Sequence, residues 1–428
     1  MTCINLEFLQ NLLKDEYPDV VIHDFEGAPG SKRGDNYTSM VYRVTLKGSR
    51  KSIEADGTTE IIEPWEGSIV YKCLPESILR REAFKSDELF CNEVAFYNKI
   101  WPALSKFQSQ WCKVANPFKA IPKCYLAQND LVILKDLKEL GCVMPDRRKG
   151  LTIEQCYFVL KHLSHFHALS LAMKYYDPEG FYELLNIQDG ISEVFFVSEN
   201  EDYYRSYYSE ATRNAIAMVE EELHDSSDKE KYLTPFKQFC SEDTFFQSMV
   251  DMVAPREPLA VICHGDCWTN NMLFRFLDGQ LAEMFIVDFQ LARYASPGLD
   301  LAYLIYLCLE RQQRAEHTPA LLRFYADELH DRLLEMSDGN VLDRETLYDM
   351  LLEEFKTSSR FGLGLALDMY PIMTCDSNEA PNLYQEKESE VTPSHVISNC
   401  VKPVWTSNEA CRKKMTDLVI ELVDGGLL

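Results

Sequence analysis

Residues 259 to 290 restrict the fold more than any other stretch of this chain. An apolar run, Leu259 to Cys263, leads into a polar loop from His264 to Asn271. An apolar run to Leu277, the pair Asp278-Gly279 and a second apolar run ending in Val287-Asp288 follow. Asp-Gly between hydrophobic runs is a strong hairpin signal, because a tight two-residue turn needs positive φ at both positions. A turn there sets residue 271 opposite about residue 286, so Asn271 and Asp288 share the open end of one hairpin. Cross-strand neighbours lie ~5 Å apart, so their oxygens can converge on one hard cation. Mg²⁺ favours that: few protein oxygens, completed by phosphate and water. Asp266 lies five residues before Asn271 on the preceding loop, close enough to accept a hydroxyl proton beside the metal. Taken singly, Asp266 and Asn271 are turn residues and Asp288 ends a strand; at hairpin distance, the three together favour chemistry.

The flanking sequence reads as two unlike halves. Val20 to Phe25 and Met40 to Leu46 are strands joined by a glycine-bearing loop, and Ser68 to Leu74 is a third strand after a polar connection, Lys47 to Gly67. A helix is expected over Leu79 to Ile100, then short strands over Ile121 to Leu126 and Leu131 to Leu134. Beyond Leu137 helices dominate. Thr152 and Gln155 form a capping box opening a helix to about Tyr175. Helical patterns recur near 202–223, 234–252, 299–309, 319–336, 343–355 and 410–422, with a polar loop over 376–394. This predicts an α+β chain, with a small β-rich lobe over 1–134 and a larger, mostly helical lobe over 135–428.

The first lobe carries a buried charge to explain. Alternation in the third strand puts Lys72 on one face between Val70 and Leu74, and a lysine there needs a partner if that face is buried. In the following helix Glu93 sits inside a stripe of Leu89, Phe90, Phe96, Tyr97 and Ile100. Pairing Lys72 with Glu93 satisfies both; Glu82 and Glu88 lie less centrally. The plainer alternative is a snorkelling lysine and an exposed glutamate.

Composition excludes some partners. With 43 Lys plus Arg against 68 Asp plus Glu, the net charge is −25, which repels nucleic acid and anionic membrane surfaces. No apolar run is long enough to span a bilayer. The N-terminal residues lack a basic segment followed by an apolar core, so a cytoplasmic location is expected. The 14 cysteines are scattered without a C-x-x-C pair, as expected of reduced thiols packed in the core. His165 and His167 read as helix-face or core residues. No obligate protein partner is evident.

His264-Gly-Asp266 with Asn271, followed by Val287-Asp288-Phe289, is similar to motifs shared by choline kinases and aminoglycoside phosphotransferases. The finer wording, His264-Gly-Asp-Cys-Trp-Thr-Asn-Asn-Met272 with Val287-Asp-Phe-Gln290 and Pro297-Gly-Leu-Asp-Leu301, resembles most closely the ecdysteroid kinase-like family. Gly34-Asp-Asn-Tyr-Thr-Ser39 is similar to that family's first-lobe loop. The resemblance spans almost the whole chain, with its core at about 131–340. It implies a protein-kinase-like two-lobed fold using ATP and Mg²⁺, with Asp266 as catalytic base and Asn271 and Asp288 on the metal. It further implies that Lys72, Glu93, Gly34, Asn36 and Ser39 serve the nucleotide. Leu134 and Asp136 belong to a hinge whose backbone holds adenine, Asp300 braces the catalytic loop, and His264 orients it.

Three departures narrow the acceptor. Gly265 stands where protein kinases carry the arginine that reads activation-loop phosphorylation, and Gln290 replaces the glycine of Asp-Phe-Gly. The short interval from Asp288 to the helix near Leu299 leaves little room to dock a peptide. The expected acceptor is therefore a small-molecule hydroxyl, by resemblance an ecdysteroid or another hydroxylated lipophile or xenobiotic. The alternatives are a choline- or aminoglycoside-type kinase and a non-catalytic nucleotide- or steroid-binding pseudokinase. The acceptor pocket is expected from helical segments around 190–255 and 357–375.

Overall fold

The computed structural model describes residues 4–31, 38–53, 60–111, 116–128, 130–337, 341–376, 378 and 408–428. Gly34, Asn36 and most of the expected 376–394 loop lie outside them.

Asn5 caps α1 (Leu6–Leu13) by accepting the Phe8 N–H at 2.8 Å. β1 (Val20–Pro29), β2 (Met40–Ile53) and β3 (Glu60–Cys73) then form an antiparallel meander. Most of the expected loop over 47–67 is ladder instead, with pairing from Met40 and Cys73 out to Ile53 and Glu60. The polar run misleads because burial of β2 stops at Leu46 and Trp65 alone is buried on the facing part of β3 among the described residues, so little selects apolar residues.

The single helix expected over 79–100 is also divided. α2 (Ile78–Ala83) and α3 (Ser86–Ala95) are separated by Lys85, whose φ of +50° is incompatible with a continuous helix. A π-helical turn over Phe96–Ile100 leads into α4 (Trp101–Trp111). β4 (Cys124–Gln128) and β5 (Leu131–Lys135) complete a five-stranded antiparallel sheet in the order β1-β2-β3-β5-β4. One sheet face packs Trp65, Tyr71 and Ile133 against Leu9 and Leu13 of α1. The other carries Val70, Lys72 and Leu134 toward α3 and the main core.

The second lobe opens on α5 (Ile153–Tyr176), where Thr152 and Gln155 make both bonds of the capping box. α6 (Pro178–Leu185), α7 (Glu201–Glu222), α8 (Lys229–Phe239) and α9 (Phe245–Val253) follow; the last two replace one helix expected over 234–252. A compact β segment comes next: β6 (Val261–Cys263), the hairpin β7 (Met272–Leu277) and β8 (Gln280–Ile286), and β9 (Arg293–Ala295) paired with β6. Asp278 and Gly279 have φ of +50° and +78°, as the turn requires. α10 (Pro297–Cys308), α11 (Arg311–Glu335), α12 (Arg344–Thr374) and α13 (Glu409–Asp424) close the chain.

α12 runs far past the expected end at 355. Its glycines weaken the sequence signal, yet Gly362 lets α12 approach α10, since a Cβ there would lie 2.7 Å from the Tyr306 ring. Among the described residues no helix is long and apolar enough to cross a membrane.

Candidate active site

The loop between β6 and β7 is built on Asp300, in the first turn of α10. Its carboxylate accepts the backbone N–H of His264 at 2.7 Å and of Gly265 at 2.9 Å. His167 of α5 contacts the same carboxylate through Nε2 at 3.2 Å, and its Nδ1 meets the Tyr325 hydroxyl at 2.7 Å. Burial alone would raise the Asp300 carboxyl; the His167 hydrogen bond and the surrounding donors outweigh it and hold it below the usual carboxylate range. Gly265 turns the loop at φ +85°, and a Cβ there would lie 1.9 Å from the Leu291 carbonyl oxygen. No side chain fits, an arginine least of all. His264 faces the other way: its Nε2 lies 2.9 Å from the Val287 carbonyl and its ring packs edge-on to Phe289 at 4.8 Å.

That platform presents Asp266. Asn271 Nδ2 donates to Asp266 Oδ2 at 2.7 Å and to its carbonyl at 3.0 Å, while the buried Tyr303 hydroxyl donates to Oδ1. Burial and the nearby Asp288 charge raise the Asp266 carboxyl above its usual range; Tyr303 and Asn271 offset only part of this. With its amide nitrogen so occupied, Asn271 Oδ1 has no partner among the described residues. The β7–β8 pairing aligns Met272 with Ile286, and the Val287 N–H donates to the Asn271 carbonyl at 3.0 Å. Asp288 follows at the same end, in a left-handed conformation (φ +69°) that costs about 1–2 kcal/mol in a residue with a Cβ.

The next residues hold Asp288 in place. Phe289 stacks on Phe96 with ring centres 3.7 Å apart and meets Tyr97 edge-on at 6.0 Å. The π-helical turn lets these consecutive side chains both face Phe289. Asn92 of α3 donates to the carbonyls of Gln290 and Ala292 at 2.9 and 2.8 Å, and Thr38 of the first lobe donates to Gln290 Oε1 at 2.7 Å.

Lys72 joins the lobes. Its Nζ lies 2.7 Å from Glu93 Oε2 and donates to Asp288 Oδ1 at 2.8 Å. Glu93 is fully buried and Lys72 nearly so. Burial opposes the lysine charge, but the Asp288 and Glu93 carboxylates outweigh it and raise Lys72 above the usual lysine range. An ammonium has three N–H donors, so one remains for a ligand.

Other expected residues lie apart. Ser39 is buried just before β2, and Leu134 pairs with Val70 inside the sheet. The Asp136 carboxylate is committed to the protein, accepting from Arg43, from Ser68 at 2.8 Å and from the Lys138 N–H at 3.0 Å. None of the three lines the cavity onto which Asp266, Asn271 and Asp288 open.

That cavity is walled by Phe195 and Phe196 before α7, Tyr204, Tyr207 and Tyr208 on α7, and Trp268. Leu365, Asp368, Met369 and Ile372 of α12 close it. Arg293 of β9 ties wall to loop: it donates to the Gly265 carbonyl at 3.3 Å and lies 2.8 Å from Glu193, whose carboxylate caps the N–H groups of Phe195 and Phe196.

Sequence reasoning missed Tyr303, Arg293 and Asp368. Only Tyr303 left a signal, standing three residues after Asp300 and so on the same face of α10.

The model of the ecdysteroid kinase-like family matches residues 33–337. No curated protein matches the chain. Among solved structures, a Plasmodium vivax ethanolamine kinase is similar at 12% identity and a TM-score of 0.41, over 95% of this chain and 90% of that one. The GDP complex of wild-type aminoglycoside 2'-phosphotransferase-IIIa is similar at 13% identity and a TM-score of 0.37, over 99% and 100%. The streptomycin–ATP–APH(2")-IIa ternary complex is similar at 11% identity and a TM-score of 0.32, over 88% and 99%.

Proposed function

The chain belongs to the ecdysteroid kinase-like family, and from that premise we propose that it is an ATP-dependent small-molecule kinase. It transfers the γ-phosphate to a hydroxyl of a lipophile, an ecdysteroid or another hydroxylated lipophile or xenobiotic. The observation that carries this reading is that Asp266, Asn271 and Asp288, the last bonded to Lys72, together line one aromatic-walled cavity.

The residues fit a divalent cation. Asn271 Oδ1 is left open by the two bonds its amide nitrogen makes, and Asp288 Oδ2 by the single bond from Lys72 to Oδ1. Those oxygens would hold Mg²⁺, which when bound neutralises charge on the phosphates. Lys72 offers its third N–H to a phosphate oxygen, with Glu93 fixing its position. Asp266 accepts the acceptor's hydroxyl proton as that oxygen bonds to the γ-phosphorus and ADP leaves. Its raised carboxyl makes it a better proton acceptor near neutral pH than an ordinary aspartate. Tyr303 and Asn271 hold it in line.

The aromatic walls also suit a choline-type cation, the second reading, because ammonium groups bind aromatic faces. A pseudokinase is disfavoured, since none of these side chains is replaced. Buried free cysteines such as Cys263, Cys267 and Cys308 are in keeping with a reducing cytoplasm. The test is ATP consumption with steroid, choline and aminoglycoside acceptors, read by product mass. One phosphate gained by the steroid class alone is the expected result; gain by choline or aminoglycoside alone would replace the reading.

A further inference from the structure

Asp368 is a carboxylate that the proposed phosphoryl transfer does not use. It projects from α12 into the same cavity as Asp266, between Leu365, Met369 and Ile372. Asp368 is half-buried, and a carboxylate in such an apolar wall normally has a cation beside it. Among the described residues no Lys, Arg or His pairs with this one. The hydrogen bond it accepts is from a hydroxyl: Tyr207 donates to Oδ1 at 3.0 Å, with Tyr208 lining the cavity beside it. Burial pushes the carboxyl up to about 7, only partly countered by the two tyrosines.

Resting on the kinase reading, we infer that Asp368, held by Tyr207, is a specificity subsite. It takes a hydrogen-bond donor carried by the acceptor away from the reacting hydroxyl. The acceptor class is thus an apolar ring compound with two polar ends, one hydroxyl at Asp266 and one donor at Asp368. Phe195, Phe196, Tyr204 and Trp268 line the same cavity, which favours a flat hydrocarbon body for the acceptor. A second hydroxyl and an amine share the chemistry required of the donor. A carboxylate left without its donor disfavours the mono-alcohol, so discrimination comes from the group a wrong acceptor lacks.

The test uses three probes on one ring system: androstanol, androstanediol with its second hydroxyl at the opposite end, and the corresponding aminoandrostanol. kcat/KM is measured for each with the full chain and Mg·ATP. The wild type should favour the diol or the amino alcohol over androstanol by ~10- to 100-fold, the worth of a hydrogen bond to a charged group. The larger of the two advantages identifies the natural donor. Asp368→Leu should bring the ratio to about one. Asp368→Asn, the conservative change, should abolish the amino advantage and keep part of the hydroxyl advantage. Tyr207→Phe should lower the ratio in part. Because each ratio is taken within one variant, changes in folding or nucleotide binding cancel. A wild type without preference, or an unchanged ratio in Asp368→Leu, overturns the inference and leaves the kinase reading standing. Transfer to none of these, nor to choline or kanamycin, overturns both.

Discussion

Lys72 and Asp288 lie 216 residues apart in the chain, yet Nζ of one donates to Oδ1 of the other at 2.8 Å. Glu93 stands 2.7 Å from the same nitrogen, so one ammonium fastens α3 of the first lobe to the end of the β8 hairpin in the second. Removing Glu93 leaves Lys72 buried with less compensation. Glu93→Ala should therefore lower both melting temperature and turnover. Lys72→Met, which keeps the stem, should cost turnover far more than stability. The pair should be non-additive in a double-mutant cycle on both readouts; strict additivity would mean that the contact carries no energy.

Tyr303 lowers the Asp266 carboxyl through its hydrogen bond, against burial and the Asp288 charge. Tyr303→Phe keeps the ring and removes that bond, so the Asp266 pKa should rise. Catalysis needs the ionised form, so the acid limb of the kcat profile should move to higher pH. An unmoved limb with lower kcat would assign Tyr303 a packing role only.

Gly265→Ala should be strongly destabilising. The left-handed conformation alone costs about 1–2 kcal/mol with a Cβ, and that Cβ would sit 1.9 Å from the Leu291 carbonyl oxygen. Thermal unfolding checks this; a melting temperature equal to wild type would contradict the described turn.

Asp300 and Asp368 should respond to pH with opposite signs. Asp300 is held below its unfolded value, so its stabilisation is complete above about pH 4 and is lost as the pH falls through its folded value. Asp368 is raised to about 7, so the folded state binds more protons and stability falls as pH climbs from about 4 to 7. Asp368→Asn mimics the protonated form and should raise the melting temperature more at pH 8 than at pH 5, by calorimetry. An equal effect at both would place Asp368 in an ordinary aqueous setting.

What was legible in the sequence was mainly local. Asp278-Gly279 specifies its own turn, and the hairpin then brings Asn271 opposite Val287, one residue before Asp288, at its open end. Lys72 and Glu93 were readable because a charge inside an apolar stripe demands a partner. The outer halves of β2 and β3 were not, since apart from Trp65 their described residues are not buried and carry no alternation. The break at Lys85 depends on a backbone conformation that its residue type does not announce. Asp368 reaches the cavity only through the packing of α12 on α7 and α9, a relation no spacing encodes. The hinge expectation concerned the backbone near Asp136; that its carboxylate clasps Arg43 and Ser68 is a long-range contact no spacing encodes.

The most direct test of the central claim is single-turnover phosphoryl transfer from Mg·ATP to androstanediol, by wild type and Asp266→Asn, with products resolved by mass. Wild type should add one phosphate to the alcohol. The variant should retain nucleotide affinity and lose ~10²- to 10⁴-fold in rate, the usual worth of a positioned base. Transfer at an unchanged rate in Asp266→Asn would contradict the account.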